Sequence, residues 1–166
     1  LENRKAALAQ PVAVVEEQSA QMLSLIRVAL LSAGHWIARH PGEEPGENQE
    51  FIRLVEQLRE SSGQRIDIRM VTRDARLAYV PKRADAAITD VSDRDYFQVQ
   101  NDPRTRGFYI ANAVFRRVPP TRGIPVSLPA SNRNGRISVL FGAIELDRIE
   151  KLQTPLLKDS GSNITI

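Results

Sequence analysis

Five side chains in this sequence have the type and position to hold a small polar molecule: Arg94, Tyr96, Tyr109, Asn112 and Ser127. Arg94 ranks first, because a guanidinium presents a planar fork of donors that fits a carboxylate through two parallel hydrogen bonds. Tyr96 adds a hydroxyl beside it. Tyr109, Asn112 and Ser127 fall on expected strands. A polar group on the covered face of a sheet needs a partner, which a ligand, a buried water or backbone can supply. Each residue also has a purely structural use. Ser92-x-x-Asp95 has the spacing of a capping box, and Arg94 can pair with Asp90 or Asp93. Tyr96 and Phe97 are neighbours that point to different sides of a helix, so either one can serve as core packing. Arg116, Arg117 and Arg122 cluster around a loop, as an anion-attracting rim or as ordinary solvated charge.

Nothing in the chain is arranged for catalysis. There is no G-x-S-x-G elbow, no phosphate-binding glycine loop and no H-E-x-x-H motif. Cysteine is absent, which removes thiolate nucleophiles, thiolate metal sites and disulfides together. His35 and His40 are the sole histidines, and five residues apart they do not share a helix face as an i, i+4 metal pair does. The sequence therefore calls for no enzyme activity, no metal and no cofactor. The net charge is +3, but acids and bases alternate, as in Arg73-Asp74-Ala75-Arg76 and Asp93-Arg94-Asp95. A nucleic-acid binder segregates its Lys and Arg onto one face, and none is expected as a partner.

These residues must be positioned by a chain of 166 residues, 42% hydrophobic and 26% charged, the size of one domain with its own core. Leu8, Val12, Val15, Ser19, Met22, Ile26, Ala29, Ala33 and Trp36 recur in alternating steps of four and three, the seam of one long helix. From Met22 the apolar stripe widens, so the first half suits a partner helix and the second half suits burial in its own domain. Pro11 should kink this helix or mark its first turn. The stretch 20–38 lacks the uninterrupted apolar run of a membrane span. His40-Pro41-Gly42 ends the helix, and a second follows on Phe51, Leu54, Val55 and Leu58, closed by Ser61-Ser62-Gly63.

The period then changes. Ile66, Ile68 and Met70 alternate with Asp67, Arg69 and Val71 as in a strand, and residues 76–80 read as its return. Residues 93–100 read as a short helix, and 108–115, 124–128 and 137–146 as strands, with Asn134-Gly135 as a hairpin turn. A helix over 147–157 and a polar linker over 158–163 complete the chain. Two helices, five strands with one helical insertion and a last helix make an α+β domain: an antiparallel sheet flanked by helices.

Asp90-Val91-Ser92-Asp93-Arg94-Asp95-Tyr96-Phe97 resembles the "DVSDRDYF" signature of extracytoplasmic PAS-like Cache sensor domains, which precede histidine kinase or diguanylate cyclase modules. Tyr109 to Val114, Ile124 to Leu128, and Asn134 to Leu146 are similar to later strands of that family, in the family's order, over residues about 66–152. The chain departs from the pattern at Ala113, where the family has Pro, and at Thr121-Arg122-Gly123, where it has Gly-x-Trp. Pro129-Ala130 replaces two basic residues, and the turn glycine near Ala75 is missing. These departures bear on ligand specificity more than on the fold.

The resemblance implies a PAS-like fold of about five strands with a long N-terminal helix. It divides the chain into a dimerisation or signalling helix (1–40), a sensor domain (41–157) and a linker or the start of a further unit (158–166). It makes Phe97 the core residue of the adjacent aromatics. It also implies a small-molecule ligand, with a carboxylate suggested by Arg94, and a homodimer through the first helix. The whole receptor would be anchored in the inner membrane, with this part periplasmic. The alternative is a ligand-free dimerisation and spacer module of such a receptor.

Overall fold

The computed structural model describes residues 2–63, 66–115, 121–130 and 135–146, with side chains from residue 17 onward. Helix α1 runs Glu2–Arg39, and Pro11 lies inside it rather than in its first turn. The Leu8, Val12 and Val15 part of the expected seam lies outside the described side chains. The later part is buried: Met22, Ile26, Ala29, Ala33 and Trp36 are all 7% exposed or less. The segment Glu17–Arg39 is long and apolar enough to cross a membrane by composition. Yet Ile26, Leu30 and Ala33 are fully buried in the domain's main core, as in the core helix of a globular fold. His40 closes the helix by donating from Nδ1 to the Trp36 carbonyl (2.8 Å) and stacking on the Trp36 ring at 4.1 Å. Gly42 then takes the positive φ (93°) that turns the chain away.

Helix α2 (Gln49–Ser61) starts at Asn48, whose side-chain oxygen accepts from the amides of Glu50 (2.8 Å) and Phe51 (3.1 Å). Such a cap contributes about 1 kcal/mol. Phe51, Ile52 and Val55 are its buried face, and Phe51 meets the Trp36 ring at 4.8 Å, joining α2 to α1.

The strands are β1 (Ile66–Thr72), β2 (Leu77–Ala78), β3 (Tyr109–Ile110), β4 (Val114–Phe115), β5 (Arg122–Pro129) and β6 (Ile137–Glu145), with a third helix, α3 (Asp95–Asn101), before β3. They form one antiparallel sheet in the order β2-β1-β6-β5-β3, with β4 also on β5. The α+β expectation holds. Two expected strands are shorter than the sequence suggests. The return strand shrinks to Leu77–Ala78, because Leu77 N–H donates to Thr89 O and Arg76 bridges Asp90, tying this edge to the loop before α3. The expected strand over 108–115 divides into β3 and β4, whose registers on β5 differ by one residue. Pro125 of β5 has no N–H for a continuous ladder, and Ala111 N–H donates to its carbonyl at 2.8 Å. The turn around Asn132–Asn134 and the expected 147–157 helix lie outside the described residues.

Both faces of the sheet are covered. Ile66, Ile68, Met70, Val126, Leu140 and Ile144 belong to the core under α1 and α2. Gly142 lets α1 come close: a Cβ there would sit 3.4 Å from Ile26 Cγ2. On the opposite face Val71, Val139 and Phe141 pack beneath Val91, Tyr96 and Phe97.

Candidate functional site

The octet 90–97 forms the lid of this second face. Asp90 Oδ1 accepts from the Ser92 amide (2.8 Å) and hydroxyl (2.6 Å), an Asx-type turn that folds the chain before α3. The expected capping box does not form, since the Ser92 hydroxyl is committed to Asp90. The helix begins instead at Asp95, with Arg94 in the cap position at φ −83° and ψ 132° and no side-chain capping bond. That extended backbone lets Arg94 leave the helix axis while its carbonyl accepts from Phe97 and Gln98.

Arg94, half-buried, and Tyr96, 6% exposed, meet at a cavity of about 40 Å³ between the sheet and this lid. Tyr96 stacks on Phe141 of β6 at 4.7 Å. Leu77, Val91, Val114, Pro125, Phe141 and Ala143 make the walls mostly apolar, and Thr89 also lines the cavity while its hydroxyl donates to the Ala87 carbonyl at 3.3 Å. The volume has room for about one to three water molecules.

The other three sequence candidates lie elsewhere. Tyr109, on β3, donates from its hydroxyl to Asp95 Oδ2 at 3.2 Å. Partial burial, and next the Asp95 carboxylate, raise its pKa above the ordinary phenol value, so it stays protonated and donating. Ser127 is fully buried, and its hydroxyl accepts from Gln100 Nε2 at 2.9 Å. Gln100 also donates to Gly107 O (2.7 Å) and accepts from Gly107 N–H (3.0 Å), locking α3 to the strand that follows. Asn112 is exposed between β3 and β4. Phe97 is buried in the same cluster as Tyr96, so both aromatics of the octet pack. Of the basic loop, Arg122 is exposed and Arg116 and Arg117 lie outside the described residues.

A cavity residue absent from the sequence candidates is Arg69, in the middle of β1 and 9% exposed. Its Nε donates to Asp67 Oδ2 at 2.9 Å, and its guanidinium lies 5.1 Å from the centre of the Tyr79 ring. Alternation put Asp67, Arg69 and Val71 on one face of β1, which reads as the solvent side until the segment 89–96 is known to cover it. A larger concavity of about 420 Å³ runs along the β2 edge. Its cations Arg76, Lys82, Arg83 and Arg136 have side chains 45% to 63% exposed, and each pairs with a carboxylate: Asp74 and Asp90, Glu47, Asp85 and Glu44 in turn. The smaller cavity is the better candidate, because its charged groups are drier and their interactions correspondingly stronger. Among the described residues no group of three His, Cys, Asp or Glu side chains is placed to hold a metal.

No protein-family model and no curated protein matches the sequence. Solved structures do. The ligand-binding domain of the Campylobacter jejuni chemoreceptor Tlp3, in complex with 4-methylisoleucine, superposes with a TM-score of 0.58 at 16% identity, over 84% of this chain and 56% of that one. Its complex with L-valine gives 0.57 at 17% identity, over 84% and 57%. The extracellular domain of rpHK1S-Z16, named as a histidine kinase, gives 0.58 at 14% identity, over 87% and 64%. The fold is that of these sensor domains. The chain spans a little over half the length of the Tlp3 structures and under two thirds of rpHK1S-Z16.

Proposed function

We propose that this chain is the ligand-sensing part of a membrane-anchored signalling receptor, a Cache-type domain exposed outside the inner membrane. It would bind a small carboxylate-bearing molecule and pass a conformational shift to a kinase or diguanylate cyclase module elsewhere in the protein. It has no catalytic role of its own in this reading. The carrying observation is the convergence of Arg94 and Tyr96 on a partly desolvated cavity under the octet lid, in a fold shared with domains solved with amino-acid-like ligands. Tyr109, Asn112 and Ser127 then act around the site, with Tyr109 and Ser127 positioning α3 through Asp95 and Gln100.

Helix 1–40 is the coupling and dimerisation element. With Met22, Ile26, Ala29 and Ala33 turned into the domain, a second seam one residue earlier faces outward: Gln21, Leu25, Val28, Ser32 and His35, again in steps of four and three. Leu25, Val28 and the adjacent Leu31 are 46%, 60% and 52% exposed, and a second copy of the same helix would cover them. A ligand that prefers one packing of lid and sheet would shift the dimer toward it.

A spacer that binds nothing is the second reading, favoured by the small size of the cavity. A thermal-shift screen of amino acids and organic acids, with Arg94→Ala beside the parent, separates the two. A ligand at a hundredfold excess over its Kd stabilises the fold by about 2.7 kcal/mol. A hit that Arg94→Ala abolishes is the expected result; a well-folded dimer with no hits makes the chain a spacer.

A further inference from the structure

We propose that the concavity along the β2 edge is a docking surface for an acidic segment of a partner protein, one that brings an aliphatic side chain onto Ile88. It is separate from the cavity under the octet lid, with which it shares Leu77 alone. Arg76, Lys82 and Arg83 reach it from either end of β2, and Arg136 from the start of β6. Glu44 and Asp74 are the carboxylates in its lining, which leaves an excess of two positive charges. The ion pairs of these four cations do not close the surface to an anion. Their cationic side chains are 45% to 63% exposed, and exposed pairs are weak, so a partner's carboxylate exchanges for one of the chain's own at little cost.

The rest of the lining fits a protein better than a small ion or a bilayer. Arg and Tyr carry much of the binding energy at protein interfaces, and Arg clusters recognise acidic motifs. Here Tyr79 shares the surface with three arginines, and the Arg83 guanidinium lies 5.7 Å from its ring centre. Ile88 is 79% exposed, the most exposed large apolar side chain among the described residues. An inorganic anion would use the cations and leave Ile88 in water. A bilayer is flat, and a concave surface offers it few simultaneous contacts. The surface also adjoins the seat of α1. Arg136–Glu44 and Lys82–Glu47 tie the α1–α2 connection to β6 and to the segment after β2, and Lys82 N–H donates to Gly46 O at 2.7 Å. A partner that engages Arg136 and Lys82 competes with both ion pairs, and so acts on α1 without passing through the lid cavity.

The test is fluorescence anisotropy of the whole chain with a short labelled oligoglutamate peptide bearing one central leucine. Physiological ionic strength, with a Debye length of about 8 Å, leaves only near charges effective. Tripolyphosphate and phosphatidylglycerol vesicles are measured beside it. Lys82→Glu with Arg83→Glu should weaken peptide binding by about tenfold or more, and Ile88→Ser by about threefold. Arg104→Glu with Arg106→Glu, the same charge change at two exposed residues outside the surface, should bind like the parent. If the first double variant does not fold, Ile88→Ser carries the test. Parent-like binding in either folded groove variant overturns the proposal. Equal losses in the two double variants also overturn it, as general attraction to a chain of net charge +3. Binding of tripolyphosphate or vesicles without the peptide overturns it in favour of a soluble phosphate or a lipid headgroup respectively. No binding by any probe overturns it, and each of these outcomes leaves the sensing reading to its own screen.

Discussion

At the scale of single residues, the turn between β1 and β2 shows how a missing glycine is tolerated. Ala75 holds φ 59°, the left-handed region that an L side chain enters at a cost of about 1–2 kcal/mol. Thr72 anchors the turn: its hydroxyl donates to Asp74 (2.6 Å) and accepts from Arg76 N–H (3.0 Å). The Thr72 hydrogen bond, ahead of other contributions, holds the Asp74 carboxyl below its ordinary pKa. The Ala75 methyl is itself buried beneath the lid, at 5% exposure. Ala75→Gly relieves about 1 kcal/mol of backbone strain and gives up about 0.8 kcal/mol of methyl burial, so it should be close to neutral in urea unfolding. Ala75→Val keeps the burial but puts a β-branched residue in this region, and should lose about 2 kcal/mol or more. Equal stability of the two variants would mean the turn relaxes out of the left-handed region. The candidate site was legible to the same depth: Arg94 and Tyr96 stand in a recognisable octet, whereas Arg69 was hidden. Its strand pattern is that of an exposed face, and only the tertiary placement of the lid segment 89–96 makes that face an interior.

At the scale of elements, the long helices and the strands β1, β5 and β6 follow from hydrophobic period, because each buries a continuous apolar set. What the period misses is decided between elements. The β3–β4 division comes from Pro125 on the neighbouring strand, and the short β2 from its attachment to Thr89 and Asp90. The α1 seam is the sharpest case. The wide stripe from Met22 reads in sequence as packing in its own domain, and Met22, Ile26, Ala29 and Ala33 are buried there against the sheet. The outward seam is less apolar and is visible once the inward one is assigned. Val28→Glu puts a charge at its centre, at a position 60% exposed in the single chain. It should leave thermal unfolding of the monomer within about 0.5 kcal/mol, as surface substitutions do. In analytical ultracentrifugation the same variant should shift a dimer of the parent to monomer. A parent that is monomeric at all concentrations, or a variant dimer as tight as the parent, would remove this face from the interface.

At the scale of the whole molecule, the cavity and α1 lie on opposite faces of a single sheet. Along β6 the alternation gives Phe141 and Ala143 to the cavity and Leu140, Gly142 and Ile144 to the helix side. Gly142, with Ile26 packed against it, and Leu140, close to Gly34, are the places where that one layer meets α1. Close-packed contacts of this kind do not deform smoothly, so a ligand that displaces Phe141 or Arg69 can change the seating of α1 through one strand. Arg69 offers a second route, through Asp67 to Arg59, which also donates to the Val80 carbonyl at 3.1 Å. Both routes predict that occupancy is felt on the far face. In hydrogen exchange, a saturating ligand from the screen should change protection of α1 amides over residues 22–37 as well as of α3. The α1 change should vanish in Arg94→Ala. Protection confined to α3 and residues 89–94 would show a lid that closes without moving the helix, and a receptor of that kind would need another path to its output.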